Sequence, residues 1–325
     1  MDYGRHDVNG ANGAHGFETS TQKVGLFALI KHHLRDWLWI GVMIVLELIM
    51  YFIIPPFHRF VNEPMIADLM YPRKPETVPT WTVGVVAVVL PFFIFVAYFI
   101  KNRSIRDFHS AFLGLATAIV ITALFTDSIK NLVGMPRPDF FHRCFPDGVA
   151  VYTNDSERQV ICHPGDARAF RDAYKSFPSG HVSWAFAGLG YLSLYFAGKF
   201  SLFDRRGYTS RVFWVLLPTL AAGLIGVTRV NDYQHRWVDI IAAGLLGLLI
   251  AYICYRQLYP SIYAREWAGY PYEYAPQGIL SHGLHGPRAL PMMNSYANSS
   301  VAPLGLGGNA YDPRRVPNDV ETGRG

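Results

Sequence analysis

The sequence predicts an all-α, polytopic membrane protein, a six-transmembrane-helix bundle. Hydrophobic residues make up 51% of its 325 residues and charged residues only 16%, well below the roughly 25% charge of a soluble chain. The apolar residues fall in blocks, and six of these approach the ~20 helical residues that a ~30 Å hydrocarbon core requires. They run Trp37–Phe57, Trp81–Ile100, Phe108–Ile129, His181–Phe200, Val212–Thr228 and Trp237–Tyr255, with Trp or Tyr at several ends, where a lipid–water boundary favours them.

The first block is too long, and starts too late, for a cleavable signal peptide; it reads as a signal anchor ending at Pro55-Pro56. The second carries Pro91, which predicts a kink. The third is interrupted by small polar residues, and the fifth is short. Lys23, Lys31 and Arg35 precede the first block, Lys101, Arg103 and Arg106 lie between the second and third, and Lys199, Arg205, Arg206 and Arg211 between the fourth and fifth. The positive-inside rule puts these segments, and hence both termini, in the cytoplasm. The loop 130–180 then faces the lumen or the exterior. Residues 1–22 and 261–325, rich in Gly, Asn and other loop formers, have no apolar period and read as mostly disordered tails around a 23–260 domain. The net charge of +5 is mild, in keeping with cytoplasmic loops facing anionic lipid and not with a nucleic-acid partner.

Three clusters fall on the outer side of this topology. Lys130 and Arg137-Pro138 leave the third block, Pro178-Ser179-Gly180-His181 enters the fourth, and Arg229, His235 and Asp239 join the fifth to the sixth. Hydropathy and loop charge alone put them at one membrane face. Lys130, Arg137 and Arg229 are three cations at a lipid boundary, which calls for a counter-anion, and guanidinium groups match phosphate oxygens. Ser179 and Gly180 open a helix, whose free N–H groups favour an anion. His235 and Asp239, spaced i, i+4, share a helical face, so the carboxylate can fix one imidazole nitrogen and leave the other to attack. His181 is placed to protonate a leaving oxygen. Singly, each has an ordinary explanation: a snorkelling anchor, a helix cap, a surface hydrogen bond. Jointly they compose a phosphomonoesterase site. No HExxH, paired CxxC or carboxylate cluster indicates a metal, and no cofactor is expected.

These motifs resemble those of the type-2 phosphatidic acid phosphatase superfamily: Lys-x6-Arg-Pro, Pro-Ser-Gly-His and Ser-Arg-x5-His-x3-Asp, with Thr228 here in place of the serine. His58-Arg-Phe-Val, the run from Arg137 to Gly148, and Asp204-Arg-Arg-Gly207 resemble the plant lipid phosphate phosphatases within it, and the likeness covers residues 25–260. The resemblance implies a metal-independent enzyme acting on a membrane lipid phosphate such as phosphatidate. It places phosphate binding on Lys130, Arg137, Ser179, Gly180 and Arg229, the general acid on His181, the nucleophile on His235 and its orienting partner on Asp239. Rivals are a lipid phosphotransferase or diacylglycerol pyrophosphate phosphatase of the same superfamily, and a non-enzymatic membrane interaction protein. Endoplasmic reticulum and plasma membrane fit equally, and the oligomeric state is not written in the motifs.

Cys144 and Cys162, both in the outer loop, are expected to form a disulfide, and Cys254 to sit in the core. Asn154 opens a glycosylation sequon in the outer loop, whereas the sequons at Asn102 and Asn298 fall on the cytoplasmic side. Glu47 is expected to turn into the bundle and be hydrogen-bonded there, and Asp127 to pair with Lys130 three residues on. His142, Arg143 and His163 are candidate head-group contacts, and Asp232 and Arg236 candidate supports of His235.

Overall fold

The computed structural model describes residues 25–204, 207–264 and 267–272. The expected N-terminal tail up to residue 22, most of the expected C-terminal tail, and the sequon at Asn298 lie outside them. Eleven α-helices occur among the described residues: α1 (Leu26–His32), α2 (Leu34–Phe52), α3 (Glu63–Ile66), α4 (Thr80–Gly84), α5 (Leu90–Asn102), α6 (Ile105–Val133), α7 (Phe140–Cys144), α8 (Ala167–Ala173), α9 (Gly180–Lys199), α10 (Thr209–Asn231) and α11 (Trp237–Leu258). Two isolated bridges, Asn62 with Gln159 and Tyr152 with Val160, are the described β-pairings. The all-α membrane class is as read from sequence.

Four helical segments are long and apolar enough to cross a bilayer: Thr80–Asn102, Ile105–Val133, Thr209–Asn231 and Trp237–Leu258. Two further long helices, α2 and α9, coincide with the first and fourth apolar blocks. Helix α2 carries Arg35, Asp36 and Glu47. Helix α9 is rich in Gly, Ser and Tyr because it runs through the centre of the bundle, packed on α6, α10 and α11, and does not need an apolar coat.

Helix ends follow local chemistry. Helix α2 stops at Phe52, five residues before the expected end, because Pro55 and Pro56 cannot continue a helix and bias Ile54 away from it. Around Pro91 the backbone absorbs the missing N–H differently from a simple kink. Val85–Val89 form a π-helical turn, in which the Leu90 N–H reaches back to the Val85 carbonyl. A Cβ on Gly188 would lie 2.0 Å from the Ala87 carbonyl oxygen, so glycine is what lets α9 approach the continuous helical rod Thr80–Asn102 there. The rod ends at Arg103, in the left-handed conformation (φ 56°), and Ser104 caps α6 by accepting from the Asp107 N–H.

The small polar residues that interrupt the third block face inward on α6: Ser110, Thr122 and Thr126 are buried. Thr126 Oγ1 donates to Ser183 Oγ of α9 at 2.9 Å, so they stitch helices together. Gly134 ends α6 with φ +55°, and a Cβ there would sit 1.7 Å from the Phe57 carbonyl oxygen.

Residues 53–79 and 134–179 form a cap over one end of the bundle. Its core is Val61, Ile66, Leu69, Phe140, Phe141, Cys144, Phe145, Ala173 and Tyr174, and the expected Cys144–Cys162 disulfide closes it. Cys254 is buried in the bundle core. At the opposite end, Lys199 pairs with Asp107 at 2.5 Å, and the hydroxyls of Tyr195 and Tyr259 donate to the same carboxylate at 2.9 and 3.0 Å. Lys199 also donates to the Gly269 carbonyl, and Ala268 is buried. The packed chain therefore runs on beyond residue 260.

Candidate active site

All eight sequence-selected residues lie at the capped end, delivered by the C-terminus of α6 and the loop after it, the N-terminus of α9, the C-terminus of α10 and the turn into α11. Lys130 stands in the last turn of α6, and its Nζ lies where a Cβ on Gly180 would meet it at 2.8 Å. The ammonium is thus pressed over the first residue of α9, and glycine leaves room for it. Asp127 is 3.8 Å from Lys130, as the i, i+3 spacing predicts.

Ser179 takes the N-cap position but makes no side-chain cap bond. Its backbone N–H donates to the Asp239 carbonyl at 3.3 Å, and its buried Oγ has no hydrogen-bond partner. The plain capping explanation therefore does not account for it. His181 follows one residue later. Its Nε2 lies 3.3 Å from Arg229 Nη1 and 3.3 Å from Thr80 Oγ1.

Arg229 is wholly buried. It is held by Asp232 at 2.6 Å and by Glu76 at 3.4 Å, while its Nε has no partner. Gln234 Oε1 lies 3.5 Å from Arg229 Nη1 and 3.4 Å from Arg137 Nη1, so one amide oxygen links the two guanidinium groups. Arg137 donates through Nε to the Asp172 carbonyl at 2.9 Å and through Nη2 to the Asp172 carboxylate at 2.8 Å. The other oxygen of that carboxylate takes Arg143 Nη1 at 2.7 Å. Partial burial alone would raise the Asp172 carboxyl, but Arg137 and then Arg143 outweigh it and hold it down to about 2.

His235 sits in the turn between α10 and α11, its Nδ1 3.5 Å from Asp239 Oδ2. That oxygen accepts from Ser176 Oγ at 2.6 Å and from the Arg236 N–H at 2.9 Å. Burial pushes the His235 imidazole down to about 4; Asp239 opposes this, while Arg137 and Lys130 reinforce it. His235 is therefore neutral at physiological pH, the state a nucleophile requires.

Among the remaining candidates, Asp232 and Arg236 do brace the turn: Asp232 binds Arg229, and Arg236 Nη1 donates to the Pro136 carbonyl at 3.1 Å. Arg143 is committed to Asp139 and Asp172, and His163 to Asp147 at 3.1 Å. Glu47 forms a side-chain hydrogen bond with Asp127, as expected of a carboxyl turned into the bundle, while its Oε2 is buried without a partner. Among the described residues no group of His, Cys, Asp or Glu is arranged to hold a metal.

Sequence reasoning missed Gln234, Asp172, Ser176, Thr80 and Glu76. Gln234 adjoins His235, and Ser176 lies three residues before Ser179, so proximity to a motif was the signal for these two. Asp172, Glu76 and Thr80 had none, because their partners are brought to them by chain returns.

The sequence profile described as PAP2 superfamily matches residues 111–263. The chain is 45% identical over 243 residues to lipid phosphate phosphatase 2 of Arabidopsis thaliana, covering 74% of this chain and 83% of that protein. It is 46% identical over 246 residues to lipid phosphate phosphatase 1 of the same plant, covering 75% and 74%. Against diacylglycerol pyrophosphate phosphatase 1 of Saccharomyces cerevisiae it is 36% identical over 163 residues, covering 50% and 56%. No solved structure shows a significant match. Identity of this order over most of both plant proteins, together with three motifs gathered at one end of one bundle, makes the chain a member of the PAP2 superfamily.

Proposed function

We propose that the protein is an integral-membrane lipid phosphate phosphatase that converts phosphatidate to diacylglycerol, and acts on related lipid phosphates, through a phosphohistidine. The observation that carries this reading is the meeting of Lys130, Arg137 and Arg229 with two histidines, one beside a carboxylate, at one end of the bundle. Each of the three cations is braced by a carboxylate, and their guanidinium and ammonium donors match the oxygens of a dianionic phosphate.

Lys130, Arg137 and Arg229 grip the non-bridging phosphate oxygens, with the free Ser179 hydroxyl and the α9 N-terminus at Gly180 as further donors. His235 Nε2 attacks phosphorus, because Nδ1 faces Asp239, which stabilises the imidazolium formed. The bond from phosphorus to the lipid oxygen breaks, and that oxygen keeps the bonding electron pair and accepts a proton from His181. Water, deprotonated by His181, then cleaves the phosphorus–nitrogen bond and releases phosphate. The acyl chains stay in the bilayer throughout, which avoids about 0.8 kcal/mol per CH₂ exposed.

In this reading the chain crosses six times, through α2, the 80–102 rod, α6, α9, α10 and α11, with the site on the luminal or extracellular side and both termini cytoplasmic. Lys101, Arg103, Lys199 and Arg211 stand at the helix ends away from the capped site, which supports that orientation. The names of the relatives support the substrate class: two are lipid phosphate phosphatases and one is a diacylglycerol pyrophosphate phosphatase. The last keeps the pyrophosphate lipid as the runner-up substrate.

The test is phosphate release by the purified full chain in chelator, from phosphatidate, diacylglycerol pyrophosphate and sphingoid phosphates, with product lipids resolved. The expected result is free phosphate and diacylglycerol from phosphatidate, an acid-labile phosphoryl-enzyme, and neither from His235→Ala. Full activity in that variant overturns the nucleophile. Transfer of the phosphoryl group to an added alcohol in place of water makes the protein a phosphotransferase.

A further inference from the structure

The segment between α3 and α5 is built into the site. Thr77 donates through both N–H and Oγ1 to the Asp232 carboxylate at 2.9 and 2.6 Å. Tyr71 stacks on Tyr233, with ring centroids 5.1 Å apart, and Lys74 lies 4.5 Å above the same ring. These contacts pin the strap to the α10–α11 turn and bring Glu76 inward. Glu76 Oε1 stops 3.4 Å from Arg229 Nη1 and 3.8 Å from His181 Nε2.

The charge around His181 is otherwise one-sided. Arg229 faces it from α10, Lys130 from α6, Arg137 from the loop after α6, and His235 from the α10–α11 turn. The other carboxylates nearby serve other groups: Asp232 binds Arg229, Asp127 stands by Lys130, and Asp239 by His235. Glu76 is the described carboxylate that reaches His181 itself. In the mechanism above, His181 must hold a proton until the lipid oxygen departs, and three cations beside an imidazole oppose that.

We infer that Glu76 is a positioning residue for His181: its carboxylate supplies the negative charge that keeps a proton on Nε2, facing the departing lipid oxygen. This rests on the phosphohistidine reading and deepens it. The carboxylate takes no part in bond making; the proton moves from His181 Nε2 to the lipid oxygen as that oxygen leaves phosphorus. The cationic grip on phosphate and the protonated acid are opposite electrostatic demands, and Glu76 stands between them, 3.4 Å from Arg229 and 3.8 Å from His181. Thr80 Oγ1, on the same strap, meets the same Nε2 at 3.3 Å.

The experiment is the pH dependence of kcat/KM on phosphatidate in mixed micelles for the purified full chain, Glu76→Gln and Glu76→Asp. Removing one charge at ~4 Å in a partly solvated site moves the alkaline limb of Glu76→Gln down by about one pH unit. Measured against the variant's own plateau below the limb, activity then falls about tenfold above it. Glu76→Asp, which keeps the charge, restores most of the limb. A limb that does not move, or a uniform loss at every pH with a lowered Tm, overturns the inference and leaves Glu76 a structural anchor of the strap. His235→Ala separates the two readings. If it is inactive while the Glu76→Gln limb stays put, this inference alone falls; if it is active, the phosphohistidine mechanism falls and takes the inference with it.

Discussion

Asp172→Asn removes the charge that yokes Arg137 to Arg143 while keeping the shape of the side chain. In the parent, Asp172 takes Arg137 on one oxygen at 2.8 Å and Arg143 on the other at 2.7 Å. The fall of its carboxyl from 3.8 to about 2 corresponds to about 2.4 kcal/mol at ~1.36 kcal/mol per pH unit. The side chain is 45% exposed, so solvent screening leaves about 1 kcal/mol. Because the folded-state value is depressed, this contribution is complete above about pH 4 and is lost as pH falls towards 2. At pH 7 the variant therefore loses the whole of it. Arg143 keeps Asp139 at 2.9 Å, so the cap survives. Arg137 keeps the Asp172 backbone carbonyl and Gln234 but loses its charged partner. The expected result is a Tm lower by a few degrees and a kcat/KM on phosphatidate reduced about tenfold, mostly through KM, because a guanidinium free to swing loses pre-organisation for phosphate. Thermal unfolding in detergent and steady-state phosphate release measure both. An unchanged KM with an unchanged Tm refutes the yoke.

Three other perturbations read different parts of the structure. Gly134→Ala puts a Cβ against the Phe57 carbonyl at a left-handed φ, so a loss of several kcal/mol and poor recovery of folded protein are expected; normal expression and Tm would show that the turn can relax. Ser176→Ala takes a 2.6 Å hydrogen bond from Asp239 and should lower kcat about five- to fiftyfold with little change in KM; an equal rise in KM would contradict an effect routed through His235. With the His235 imidazole pushed down to about 4, the acid limb governed by the nucleophile should lie near pH 4 and not at the ordinary 6.5. Stability should also fall as pH drops from about 6.5 to about 4, since the unfolded chain takes up this proton first. An acid limb at 6.5 in single-turnover phosphoryl transfer would refute the assignment.

The sequence by itself determined the membrane class, the helical blocks, the disulfide pair and the eight residues that meet at the capped end. Each is written locally: apolar runs of bilayer length, an i, i+4 His–Asp pair on one helical turn, a Ser-Gly step that opens a helix. Helix ends were legible only where a proline or glycine forced them, and the π turn before Pro91 was not, since a proline inside a helix is accommodated by a kink or by a π turn alike. Tertiary structure alone decided the charge balance around those eight residues. Asp172, Thr80 and Glu76 carry no periodic or spacing signal, and they acquire partners only when loops far apart in the chain fold back over one bundle end. Electrostatic interaction depends on distance through space and on exclusion of solvent, and neither quantity exists along an unfolded chain.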